Sequence, residues 1–183
     1  PLLHLPWHLD EQQIVIDNGQ YQWPLSSQPL SGFLTLRLDN WRAGLDATTI
    51  TGRLNVLTQG RGGKGNAVLN IGPGKLSLTD SQLPLQLTGE SKLSELQLYA
   101  TLHGVLSGAV MDPQLAFQPG SLLRLRGRVL DSFDVQEARW PLAGVRLSSQ
   151  GINGRLQAIV RANNPLAGPL ELHLDGGASN FWP

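Results

Sequence analysis

Along most of the chain, apolar and polar residues alternate one for one. Leu34, Leu36 and Leu38 are separated by Thr35 and Arg37, and Leu83, Leu85 and Leu87 by Pro84 and Gln86. Leu96, Leu98, Ala100 and Leu102 form another set, as do Leu170, Leu172 and Leu174. Side chains of a strand point alternately to opposite faces, so each run predicts one apolar and one wet face. About fourteen such runs are present. No segment holds a helical i, i+3, i+4, i+7 pattern for three turns without meeting Gly or Pro. The prediction is an all-β chain with little or no helix.

Glycines punctuate these runs with a rhythm. Gly32, Gly52, Gly72, Gly89, Gly108 and Gly127 lie 20, 20, 17, 19 and 19 residues apart, and Gly154 follows after 27. Several open similar runs: "GFLTLRL", "GRLNVLT", "GRVLDSF" and "GRLQAIV". "WPL" occurs at Trp23 and again at Trp140. A unit of about nineteen residues fits a two-stranded hairpin with its turns. Repeated hairpins predict a sheet that grows sideways as one segment over 1–183. Fourteen strands at about 4.8 Å would extend roughly 67 Å.

Composition agrees. Charged residues make up 15% of the 183, against about 25% in an average domain. Twenty-one glycines and twelve prolines supply turns. Fourteen basic residues balance fourteen acidic ones, so no global field draws the chain to nucleic acid. Without cysteine there is no disulfide, zinc-thiolate site or thiol chemistry. Pro1 is not a natural start, which suggests a piece of a longer protein.

Candidate chemistry is sparse. Gly60, Gly62 and Gly65 spell G-x-G-x-x-G, with Asp80 twenty residues beyond Gly60. A dinucleotide site needs a helix after those glycines, and Gly72-Pro73-Gly74 leaves no room for one. Lys64 is followed by Gly65 rather than Ser or Thr, so the phosphate-loop pattern fails as well. Gly60 to Gly65 reads instead as a mobile hairpin tip. His4 and His8 flank Pro6, while His103 and His173 stand alone. Asp131, Asp134 and Glu137 read as a solvated turn rather than a calcium loop. No nucleophile elbow appears, and no residues are assigned to catalysis, metal or cofactor.

Arg124, Arg126 and Arg128 share one face of a strand. They are either a solvated or edge-protecting face or a rim that attracts phosphate headgroups. The five tryptophans (Trp7, Trp23, Trp41, Trp140, Trp182) read as packing residues, with sugar stacking the alternative.

The stretches "LTQGRGGKGNAVLNIGPGKLS", "DSQLPLQLTGE", "RWPLAGVRL" and "GRLQAIVRAN" resemble an internal portion of the YdbH family, along essentially the whole chain. These are long Gram-negative envelope proteins related to the AsmA-like group that includes TamB and YhdP. The resemblance implies an inner-membrane anchor upstream, a long curved β-groove in the periplasm, and phospholipid transport between the inner and outer membranes. It implies as partners phospholipid, a YnbE-like outer-membrane lipoprotein and a YdbL-like periplasmic protein, and it carries no catalytic motif. The in-phase residues expected to line such a groove are Leu34, Leu36, Leu54, Val56, Leu76, Leu78, Leu85, Leu87, Leu96, Leu98, Leu115, Phe117, Val145, Leu147, Leu156 and Leu172. The same alternation also suits a closed sandwich core that holds no ligand.

Overall fold

The computed structural model describes residues 2–9, 13–23, 30–60, 63–129 and 133–181. The expectations placed on Asp131 and Trp182 fall outside them. Fourteen strands form one sheet, every pairing antiparallel. They are β1 (Leu2–His4), β2 (Trp7–Leu9), β3 (Gln13–Trp23), β4 (Leu30–Asp39), β5 (Thr49–Gly60), β6 (Gly63–Gly74) and β7 (Ser81–Leu93). After these come β8 (Leu96–Ala109), β9 (Asp112–Phe117), β10 (Leu122–Val129), β11 (Phe133–Pro141), β12 (Arg146–Ser148), β13 (Gly151–Asn164) and β14 (Gly168–Phe181). Two 3₁₀ turns, Trp41–Ala43 and Leu45–Ala47, sit between β4 and β5.

The registers reduce the fourteen strands to eleven rows. β1 and β2 lie end to end along β3, β9 and β10 along β8, and β11 and β12 along the next position. The sheet is therefore a plain meander, and eleven rows span about 48 Å. The 67 Å expectation counted interrupted strands as separate rows. The glycine rhythm also changes meaning. Gly32, Gly52, Gly72, Gly89, Gly108, Gly127 and Gly154 fall one each on β4, β5, β6, β7, β8, β10 and β13. The spacing of about nineteen residues thus measures one long strand with its turn rather than a hairpin of two. The tip at Gly60–Gly65 is likewise shorter than expected, because Gly60 pairs with Gly63 and Gly65 lies inside β6.

The row breaks are bulges with satisfied hydrogen bonds. Gln118-Pro119-Gly120 loops out of the β9–β10 row, where proline offers no N–H and Gly120 takes a φ of 92°. The Ser121 hydroxyl fills the gap: it accepts from the His103 N–H at 3.0 Å and donates to the His103 carbonyl at 2.9 Å. Leu142–Val145 loops out of the neighbouring row directly alongside. Leu142 N–H donates to the Ser121 carbonyl and Gly144 N–H to the Phe117 carbonyl, both at 2.9 Å.

Among the described residues no second layer covers this sheet, since every extensive strand–strand contact joins hydrogen-bonded neighbours. The accessible surface is 11882 Å², whereas a compact chain of 19.8 kDa would expose about 8,600 Å². Only Ile50, Leu83, Ala138, Val145 and Ala162 are buried hydrophobics among the described residues. The closed-sandwich alternative does not fit that surface.

Ser121→Ala leaves the His103 N–H without its partner. We expect a loss of about 1–3 kcal/mol, measured by urea unfolding. A Ser121→Thr variant, which keeps the hydroxyl, is expected to retain most of that stability.

Candidate functional site: an open leucine face

Residues paired across an antiparallel ladder share a face, so the registers assign every strand position. One rung runs Leu34, Leu54, Leu69, Leu87, Leu102, a leucine on each of five consecutive strands. Beside it run Leu36, Gly52, Ile71, Leu85, Gly104 and Phe117. A third rung passes through Leu98, Leu125, Ala138, Val160 and Leu172. Across β4 to β14 this face carries no Asp, Glu, Lys or Arg; every charged strand residue points the other way.

The two faces differ in exposure although neither has a covering layer. On β7, Ser81 and Leu83 are buried and Leu85, Leu87, Gly89 and Ser91 half-buried, while Gln82, Pro84, Gln86, Thr88, Glu90 and Lys92 are exposed. A single sheet shelters one face only by curling toward it, so the leucine face is the concave one. The curl is loosest at β14, where Leu170, Leu172 and Leu174 are all exposed, Leu172 to 44%.

Thirteen of the sixteen expected lining residues lie on this face: Leu34, Leu36, Leu54, Val56, Leu85, Leu87, Leu96, Leu98, Leu115, Phe117, Leu147, Leu156 and Leu172. The other three do not sit on strands. Val145 occupies the bulge before β12 and is 2% exposed. Leu76 and Leu78 belong to the β6–β7 connection, and Leu78 projects from it 64% exposed. That connection is a hydrogen-bonded turn: Thr79 and Asp80 N–H donate to the Ser77 hydroxyl, and Ser77 N–H to the Ser81 hydroxyl. Sequence reasoning missed Leu69, Leu102 and Ile71, although each sits two positions from an apolar or small neighbour of its own strand and the period-two signal covers them.

The arginines lie on the opposite, convex face. Arg124 meets Glu137 at 3.8 Å and stacks over the Tyr99 ring, and Arg128 meets Glu95 at 3.8 Å. Arg126 makes no ion pair among the described residues. The three arginines expected to form either a solvated face or a headgroup rim therefore differ, two lying near carboxylates and one not. Trp7 and Trp140 lie on the leucine face, and Trp41 lies in the first 3₁₀ turn with its Nε1 buried. His173 does not stand alone, because its Nε2 lies 2.6 Å from Glu171. Among the described residues no three His, Asp or Glu gather as a metal site, and no helix is long and apolar enough to cross a membrane.

An uncharged concave sheet, open along its length and without a covering layer, defines a β-groove protein. Comparison with known proteins places it more closely. Residues 1–183 match the family model described as "YdbH-like: Intermembrane phospholipid transport protein YdbH", and the chain belongs to that family. It is 56% identical over its whole length to the "Probable phospholipid transport protein YdbH" of Escherichia coli strain K12, of which it spans 21%. No solved structure matches it.

On the convex side β14 is tied to β13 by ion pairs. Asp175 accepts from Arg155 Nε at 2.8 Å, and that hydrogen bond, with the guanidinium charge, holds the carboxyl below its ordinary range. Glu171 is held low mainly by the His173 hydrogen bond, with the charges of His173 and Arg161 adding to it. A carboxylate whose pKa is depressed by folding stabilises above its unfolded pKa, and the contribution is lost as pH falls through the folded value. Acidification below about pH 4 is therefore expected to loosen β14 before the central strands. Amide exchange of β14 against β7 checks this, and Arg155→Gln should flatten the pH dependence around Asp175.

Proposed function

We propose that the segment is one section of a periplasmic bridge that shields acyl chains while phospholipids pass between the inner and outer membranes, with no catalytic step of its own. The observation that carries this reading is the uninterrupted, uncharged and open leucine face. Moving an acyl chain through water costs about 0.8 kcal/mol per methylene, or about 13 kcal/mol for a chain of roughly sixteen carbons. A concave apolar sheet removes most of that cost and lets the polar end stay wet. Because the rungs run across the strands, a lipid moving along the meander meets an equivalent apolar surface every 4.8 Å or so.

The family's description as an intermembrane phospholipid transport protein supports the same reading. In the whole polypeptide we place the anchor in the inner membrane, outside this segment. A YnbE-like outer-membrane lipoprotein and a YdbL-like periplasmic protein are its partners in this scheme. The alternative, a structural β-module that spaces other parts of an envelope protein, would not need its apolar face left uncovered.

Photo-crosslinking residues at Leu87 and Leu98 in the full-length protein in cells are expected to capture phospholipid, whereas the same residues at Gln86 and Thr101, exposed on the convex face, capture none. Lipid adducts equal on both faces, or only protein adducts at Leu87 and Leu98, count against the conduit. Leu87→Asp should abolish the adduct at Leu98 yet cost no more than about 2 kcal/mol of stability, because the site is only half-buried.

A further inference from the structure

The convex face carries one rung built entirely of hydrogen-bond donors. Gln59 pairs with Lys64, Lys64 with Lys92, Lys92 with Gln97, and Gln97 with Arg126, on the consecutive rows β5, β6, β7, β8 and β10. Like charges directly opposed across a ladder are unfavourable, yet Lys64 faces Lys92 with no carboxylate among the described residues within ion-pair distance of either. Glu90 lies two residues from Lys92 and pairs with neither lysine. Gln97 accepts from the Tyr99 hydroxyl at 3.0 Å, which turns its amide N–H₂ outward. Arg126 is the one member of its arginine trio without a carboxylate among the described residues.

This rung runs along the groove's rim. Lys64 adjoins Gly63 and Lys92 adjoins Leu93, each one residue, about 3.4 Å, from the last pair of its hairpin. Gly60 and Gly63 form that last pair on β5–β6 and contribute no side chains there. Just inside, on the leucine face, Thr58, Gly65 and Ser91 share a rung, and the Thr58 hydroxyl is buried without a partner. Four residues further in, about 14 Å, lies the leucine rung at Leu69. One leaflet of a bilayer's hydrocarbon core is about 15 Å thick, so a lipid lying along the strands spans from Gly65 to Leu69.

Resting on the conduit reading, we propose that Lys64, Lys92 and Arg126 form a rail for the phosphate of a phospholipid headgroup at this rim, while the acyl chains lie along the strands toward the leucine rung. Each cation lies within two rows of the next, so the phosphate passes along the meander in step with its chains.

The test uses the purified full-length protein in detergent micelles. It is offered phosphatidylglycerol or a diacylglycerol of identical acyl chains, as native protein, as K64Q/K92Q/R126Q and as R124Q. Circular dichroism checks that each variant is folded. The native protein should prefer phosphatidylglycerol by about tenfold, equivalent to about 1.4 kcal/mol. The triple variant should lose that preference while holding diacylglycerol as the native protein does, and R124Q should keep it. A triple variant that still discriminates, an R124Q that loses discrimination equally, or a native protein that holds both lipids alike overturns the rail and leaves the groove intact. A native protein that holds neither lipid overturns the conduit reading itself. Inorganic phosphate alone is the last arm. Phosphorus NMR broadening that depends on the three cations, with no lipid preference beside it, would mark a free-phosphate site and also overturn the rail.

Discussion

Everything in this structure depends on cross-strand pairing within a single layer. A sheet that packs on nothing gains no stability from a second face, so cohesion comes from ladder hydrogen bonds and from side chains touching laterally along each rung. The row of leucines from Leu34 to Leu102 supplies that lateral contact on one face. Ion pairs such as Arg155 with Asp175 supply it on the other. Curling toward the leucines improves the first set of contacts without enclosing them. The residues that hold the fold together are therefore the residues left available to a ligand.

The alternation was legible because the strands are long and one-sided in polarity. Thirteen of the sixteen residues expected to line a groove fall on the leucine face, and the three that do not have a physical cause. Leu76 and Leu78 are in phase with each other, but Gly72-Pro73-Gly74 ends the strand before them and a serine-capped turn takes over. Val145 keeps the phase of Leu147, yet Gly144 at a φ of 83° lifts it into a bulge. Phase carries no information about where hydrogen bonding stops. The arginines show the complementary limit. Their shared face could be read from i, i+2 spacing, but the carboxylates near Arg124 and Arg128 come from β11 and from the β7–β8 turn and are visible only once the register is known.

The glycines teach a similar lesson about scale. A period of about nineteen residues matched a hairpin on length alone, because ordinary strands hold five or six residues. Here β7 holds 13 and β8 holds 14, so the same period is a single row. Groove width follows from strand length. A row of fourteen residues sets seven side chains on the concave face across about 45 Å of arc, whereas a hairpin of short strands would make a ribbon too narrow to curl around anything.

The in-line bulges explain how so wide a sheet bends. A regular antiparallel sheet twists but resists folding across its strands, and a bulge in one strand alone would shear its neighbour out of register. Gln118–Ser121 and Leu142–Val145 avoid that shear by lying side by side and exchanging backbone hydrogen bonds, with Ser121 holding both to the unbroken β8. Val145 and Ser121, each 2% exposed, sit at this crease. The two loops open adjacent rows at one level, while β8 and β13 run unbroken past them on either side and keep the flanking rows paired, so the apolar surface continues from one row to the next.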